Sequence, residues 1–342
     1  MAAPTKIFCV LAKLQASAGT DAAPTAAANA VRLLNTPTIK VKYLEEGDRK
    51  GETHAGLGDL GTVGRFGRSI DLTVQLALKG AGADYFTTTN NPESDPFWQA
   101  AGLTVTRSGG SGSGKLVYTT ADASDTFPLL TLYAYSQYKL YKIIDCVVAP
   151  KITLDNMKKG VIDFAVSGRL ATDPVDSAMP TGLAFSAVVP PVFAGNQNSI
   201  GTFTSAATPN PLLTRQAVID FGTSHAPMTG GGAPDGLAGF IITDRVMKHT
   251  ATIQSVPLAA LAVHAIARQA TNNGGVDTSS TYVLGAAGVF NRATIQLGQW
   301  ACEPGDGDAS GIGTTQLAGA IAARSLGGSS AAVGREIAII FD

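Results

Sequence analysis

The chain has 342 residues, 45% hydrophobic and only 15% charged, with 25 Lys and Arg against 26 Asp and Glu. This composition excludes an intrinsically disordered polymer, and the absence of a basic cluster argues against a protein that grips nucleic acid through its phosphates. The length suits two domains, each able to bury a core.

In chain order, the first apolar run, Ile7–Ala12, is too short for a signal-peptide core or a membrane span. The chain is therefore expected to be made and used without membrane export. Residues 14–29 are rich in Ala, Thr and Pro and read as an extended arm or loop. A strand is expected at Thr38–Lys42, followed by a polar, Gly-rich loop over 45–67. From Arg68 to Leu78, Ile70, Leu72, Val74, Leu76 and Leu78 alternate with Ser69, Asp71, Thr73 and Gln75. That period of two predicts a strand with one face on a core and one face wet.

Asp95–Gly102 carries helix punctuation, with an acidic start, Pro in the first turn and a closing Gly. Leu129–Val148 reads as two strands broken near Ser136 and Gln137. Val161–Arg169 alternates again, with Ile162, Phe164 and Val166 opposite Asp163, Ser167 and Arg169. Residues 176–211, rich in Pro, Gly, Ala and Ser, form the natural linker, and Phe185, Val188, Val189 and Phe193 suggest that it docks. Strands follow at Ala217–Phe221, Met247–Gln254, Arg292–Leu297 and Gly313–Ala322, with a Gly-rich loop over 222–239 and a helix-like segment at Pro257–Ala265.

The two halves repeat. A shift of 179 positions places Thr73-Val74-Gln75 on Thr252-Ile253-Gln254 and Asp71 on Thr250. Lys142–Val148, a bend, then Gly160–Leu170 parallels Arg292–Leu297, a bend, then Gly313–Ala322. A doubled β-unit favours assembly over catalysis as the starting hypothesis.

The motifs that tempt toward chemistry are incomplete. Gly109–Lys115 fits seven positions of a phosphate-binding loop, but Leu116 stands where Ser or Thr would hold magnesium, and a strand follows where a helix should. A hairpin loop is the better reading. Asp306–Gly311 begins like a calcium loop, yet Leu317 occupies the place of the bidentate acid. The four histidines, His54, His225, His249 and His264, form no close ligand pair, and no serine sits in a Gly-x-Ser-x-Gly elbow. Cys9, Cys146 and Cys302 lack metal spacing and read as buried free thiols. The expectation is a protein that is not an enzyme and needs no cofactor.

Several segments together resemble the tail tube (major tail) proteins of bacteriophages with long non-contractile tails. Lys13–Val31 is similar to that family's N-terminal signature, and Leu44–Arg49 to the start of its long loop. Phe290–Leu297, the turn Gly305–Asp308 and the closing Arg335–Asp342 resemble its C-terminal strands. The Gly-Ser loop at 109–114 and the segment 181–211 depart from a minimal member.

The resemblance implies a mainly β fold of two tandem sandwich- or barrel-like tube domains, each with a short helix. Their strands would pair between subunits into a ring-lining β-barrel. The implied divisions are 1–35 arm, 36–175 first tube domain, 176–211 linker and 212–342 second tube domain. Implied lumen positions are Asp71, Thr73, Gln75, Asp163, Ser167, Thr252, Gln254 and Gln316. Implied inter-ring contacts are Glu45, Glu46, Arg49, Arg65, His225 and Asp235.

The implied partners are further copies of the chain, the tape measure protein, the tail terminator and distal tail proteins, and transiting DNA. The implied location is the virion tail, assembled in the host bacterial cytoplasm, with no membrane. Three chains per ring, giving a pseudo-sixfold tube with both halves lining the channel, are favoured because both halves keep an alternating strand; six chains are the alternative if only one half lines it. A capsid decoration or baseplate β-protein, or a carbohydrate-binding or hydrolytic β-sandwich, are the alternatives.

Overall fold

The computed structural model describes residues 5–46, 64–121, 127–193, 199–200, 214–230, 236–254, 280–286, 288–297, 299–300, 303–304, 314–322 and 336–342. The strands of the first half are β1 (Thr5–Lys6), β2 (Cys9–Leu14), β3 (Ala30–Val31), β4 (Thr38–Glu46), β5 (Gly64–Ala77), β6 (Leu103–Ser108), β7 (Lys115–Thr120), β8 (Leu130–Tyr135), β9 (Lys139–Asp155), β10 (Val161–Leu170) and β11 (Val175–Asp176). Those of the second are β12 (Ser199–Ile200), β13 (Thr214–Asp220), β14 (Thr223–Thr229), β15 (Leu237–Arg245), β16 (Lys248–Gln254), β17 (Ser280–Leu284), β18 (Ala293–Leu297), β19 (Gln299–Trp300), β20 (Glu303–Pro304), β21 (Thr314–Ala322) and β22 (Ile337–Phe341). Two short helices, α1 (Ala26–Asn29) and α2 (Asp95–Ala100), interrupt them. The fold is mainly β with antiparallel sheets, and no closed barrel forms among the described residues.

The long sheet follows the order β1-β4-β5-β10-β9-β13-β16-β21-β19, so strands of both halves lie side by side. The halves meet where β9 pairs with β13, over five pairs from Gln216↔Asp155 to Asp220↔Lys151. The expected break after Val148 is absent, because β9 runs straight on to Asp155 and the bend falls between Asp155 and Gly160. Its tail, Lys151–Asp155, alternates polar with apolar, which extends the strand and provides the edge that β13 takes.

The register repeats between halves. Asp71 faces Ser167 as Thr250 faces Ala318, and Thr73 faces Ala165 as Thr252 faces Gln316. On the other side, Lys40 faces Asp71 as Val218 faces Thr250. A second sheet, β12-β17-β18-β22-β7-β6, also mixes the halves, because β22 pairs with β7.

The alternation of β5 works as expected. Ile70, Leu72, Val74, Leu76 and Leu78 are all buried, each contributing roughly 1.5–3 kcal/mol. Ile162, Phe164 and Val166 of β10, and Ile152 and Leu154 of β9, join them. Helix α2 lies in this core, with Pro in its first turn and Phe97 and Trp98 fully buried. Phe97 stacks on Phe164 with centroids 4.9 Å apart, and Trp98 reaches Phe221, just beyond β13, at 5.9 Å. One small helix therefore touches both halves. The helix-like segment at 257–265 lies outside the described residues.

A glycine marks a tight point in β10. Gly168 sits at a bulge against β9, and a Cβ there would stand 2.6 Å from Cys146 Sγ. Gly319 holds the matching register position on β21, opposite His249 as Gly168 is opposite Ile70.

The stretch expected to be an extended arm is docked on its own chain. β2 is a buried strand paired with β8. The Gly19 amide donates to Asp145 Oδ1 at 2.6 Å, and Tyr133 donates to Asp21 Oδ2 at 2.6 Å. Asp145 is fully buried and also accepts from Arg169 Nε at 2.7 Å, so its charge is paired. Part of the linker docks as well. The Ser186 amide donates to Glu93, which in turn pairs with the buried Lys79 at 3.0 Å.

Candidate functional site: the polar face of the long sheet

The residues opposite the core form a largely polar face across β4, β5, β10, β9, β13 and β16, interrupted by Ala165, Ala149, Val147 and Val218, and β21 continues its backbone register. In one register row Gln75, Asp163, Lys151, Asp220 and Lys248 stand side by side on β5, β10, β9, β13 and β16. The charges alternate in sign along the last four. Gln75 Nε2 donates to Asp163 Oδ1 at 2.8 Å, and Lys151 Nζ lies 4.0 Å from Asp220. The row crosses the junction between the halves without a break in alternation.

A neighbouring row places Asp155, Gln216, Thr252 and Gln316 together, and Gln216 Nε2 donates to Asp155 Oδ1 at 2.7 Å. Toward the other end, Lys40 faces Asp71 and Asp71 faces Ser167. Ser167 Oγ donates to Asp71 Oδ1 at 2.7 Å, and Lys42 pairs with the other carboxylate oxygen. Burial pushes the Asp71 carboxyl up, but the hydrogen bonds from Lys42 and Ser167 outweigh it and hold the group below its usual value. The face carries Lys40, Lys42, Lys151 and Lys248 against Asp71, Asp155, Asp163 and Asp220, so these described charges balance.

The hairpin β14–β15 closes one end of this face. Leu237 and Phe240 pack with Val147 of β9, and the His225 ring stands edge-on to Phe240 at 6.0 Å. Burial lowers the His225 pKa, and Asp71 opposes that shift. The expected loop over 222–239 therefore contains two strands folded back on the chain. Gly222 makes the entry possible, with φ of 53° and the Val246 carbonyl oxygen 2.0 Å from where a Cβ would be. Arg245 fastens the far end, donating to Glu336 at 3.0 Å and to the Ala121 carbonyl at 3.3 Å.

Of the expected lumen positions, Asp71, Thr73, Gln75, Asp163, Ser167 and Thr252 lie on this face by register. Thr73 is exposed, whereas Ser167 is buried near the hairpin end. Gln254 and Gln316 share the face by backbone register. Glu45 faces Arg65 in the β4–β5 pairing, and Glu46 faces Gly64. Arg49 and Asp235 lie outside the described residues. Sequence reasoning missed Lys40, Lys42, Lys151, Asp155, Gln216, Asp220 and Lys248. The alternation in Lys151-Ile-Thr-Leu-Asp155 was the available signal.

The tempting motifs resolve into structure. Gly109–Gly114 is the hairpin loop between β6 and β7, and its amides bind the chain's own Asp84. Gly112 N and Gly114 N both donate to that carboxylate, and the bond from Gly112 leads in holding its pKa below normal. The amide cradle is thus already filled. His249 is completely buried and bonded to the Tyr282 hydroxyl at 2.7 Å; burial lowers its pKa to about 3. Cys9 and Cys146 are buried free thiols, and burial raises both, Cys9 to about 11. Cys302 and the loop 306–311 lie outside the described residues.

Among the described residues, no three His, Cys, Asp or Glu side chains gather as a metal site, and no helix is long and apolar enough to cross a membrane. What the face offers chemically is a wet, charge-balanced β-surface with paired side chains. Comparison with models of known protein families matches none of them, and comparison with curated proteins finds no relative of this chain.

Proposed function

We propose that this chain is a structural subunit of a tail tube of the long non-contractile phage type, stacking as rings around a channel. The observation that carries the reading is the doubled panel. The strands β4-β5-β10-β9 and then β13-β16-β21, with β19 and β20, repeat in register and join edge to edge within one sheet. A panel that joins its own copy along an edge is a unit suited to closure by repetition, and closure removes unpaired sheet edges.

On this reading the halves 36–175 and 212–342 are two tube domains, and three chains supply six panels. About 24 strands, spaced about 4.8 Å apart and tilted about 40°, enclose a barrel roughly 50 Å across between backbones. That width accommodates the tape measure protein first and a DNA duplex later. The polar face would line the channel, and its balanced charges, with Lys42 paired to Asp71 and Lys151 to Asp220, would offer passing phosphates little to grip. The tail terminator and distal tail proteins would cap the stack, in a virion tail assembled in the bacterial cytoplasm.

Negative-stain microscopy of the purified protein tests the reading, with stacked rings of pseudo-sixfold symmetry expected. Discrete monomers under all conditions, or globular caps of the decoration or baseplate kind, would overturn it. Six whole chains per ring would show that only one half lines the channel.

A further inference from the structure

The internal repeat shows which edge of the sheet is reserved and what now sits on it. By register, Thr38–Lys42 of β4 corresponds to Gln216–Asp220 of β13, since Lys40 faces Asp71 as Val218 faces Thr250. The outer edge of Gln216–Asp220 is fully used, pairing with β9 from Asp155 to Lys151. Among the described residues, the matching edge of β4 carries only β1, through Thr5↔Ile39 and Lys6↔Thr38. No described strand pairs with the outer edge of Lys40–Glu46.

β1 occupies the places that Leu154 and Asp155 hold on β13, where they face Ala217 and Gln216. It then leaves at once. The Ile7 amide bonds to the Pro37 carbonyl at 2.8 Å, Phe8 N turns to the Tyr135 carbonyl at 2.9 Å, and the chain enters β2. A two-residue strand over an edge with no other partner among the described residues is a familiar protection against uncontrolled pairing. The exposed Lys40 and Lys42 add to it, since two such edges brought together repel.

We propose that the outer edge of β4 is the docking site for a second copy of this chain, and that β1 is a removable guard on it. The incoming partner is the other end of the long sheet in another copy, where β19 and β20 stand beside β21. It forms a junction like that of β9 with β13. Two guarding pairs yield to the five that the internal junction makes. This rests on the reading of the chain as a self-assembling tube subunit, and it adds the step that controls when assembly starts.

The test locks and unlocks the guard in the full-length chain. Lys6→Cys with Thr38→Cys, in a Cys302→Ser background, places two thiols on directly paired residues, within reach of a disulfide. The oxidised protein is expected to stay unassembled in sedimentation and microscopy, and reduction to restore assembly. Thr5→Pro with Lys6→Pro removes the strand's donors and is expected to lower the assembly threshold concentration by about threefold or more. Assembly of the fully oxidised protein equal to the reduced one, or a threshold unchanged by the prolines, would overturn the guard and leave the tube reading standing. A parent protein that never self-associates would overturn both.

Discussion

Trp98 stands edge-on to Phe164, their ring centroids 4.9 Å apart and their planes at 76°. The indole N–H donates to Ser94 Oγ at 3.2 Å, so a large apolar body is buried without stranding its one polar atom. Because Trp98 also touches Phe221, the contact ties β10 of the first half to the residue just beyond β13 in the second. Trp98→Ala should destabilise the fold by about 3–5 kcal/mol in denaturant titration, as large core aromatics do. A loss below about 1 kcal/mol would contradict a core shared by the two halves.

His249 predicts an acid sensitivity. Its folded pKa is about 3, below the ordinary 6.5, so between those values the unfolded chain takes a proton that the folded chain refuses. Stability from this group is therefore full above pH 6.5 and falls as the pH drops toward 3, by about 1.4 kcal/mol per pH unit. His249→Gln keeps a hydrogen-bonding group near Tyr282 but does not titrate. Its melting temperature should fall less between pH 7 and pH 4.5 than that of the parent. Equal slopes would show that other groups control the acid limb.

The alternating row can be tested by charge reversal. Lys151→Glu places three acids in succession, between Asp163 and Asp220, and should cost at most about 1 kcal/mol because the site is half exposed. Adding Asp220→Lys restores an opposite-charge neighbour. The double variant should recover part of the loss at low salt and less at high salt. Strictly additive changes would show that the two side chains do not interact.

Asp84 holds the Gly-Ser loop. Asp84→Ala should speed hydrogen exchange at the Gly112 and Gly114 amides while leaving the sheet amides unchanged. Unchanged exchange at those two positions would show that the loop keeps its shape without the carboxylate.

Gly168→Ala should destabilise by about 1–3 kcal/mol, because the new methyl meets Cys146 Sγ and Ile143 inside a packed sheet. Wild-type stability would require the bulge to open at no cost.

Much of this architecture was legible in the chain. Period-two alternation located β5, β10, β13, β16 and β21, and the punctuation of Asp95–Gly102 located α2, because those signals are local. The match of Thr73-Val74-Gln75 with Thr252-Ile253-Gln254 holds in register, but the expected parallel of Lys142–Val148 with Arg292–Leu297 does not. β9 pairs β10, whereas β18 pairs β17 and β22 in the second sheet, and β19 and β20 stand beside β21 instead. Three features were not legible locally. Val147-Val148 reads as a strand end because its polar neighbours are few, yet β9 runs on to Asp155 once β13 supplies an edge. The loop over 222–239 reads as Gly-rich and polar, yet it folds into a hairpin because Val147 gives Leu237 and Phe240 something to bury against. The docking of residues 14–29 depends on Asp145, more than a hundred positions away.

The sequence by itself determined the β class and the wet and dry faces of the main strands, both set by side-chain periodicity. The tertiary structure alone decided that the two halves of the chain share one sheet and that Lys151 stands beside Asp220. It also decided that Thr5 and Lys6 sit on the edge of β4. The reason is that strand neighbours are chosen by long-range backbone hydrogen bonds, which every residue but proline can donate, so their partners leave little trace in residue type.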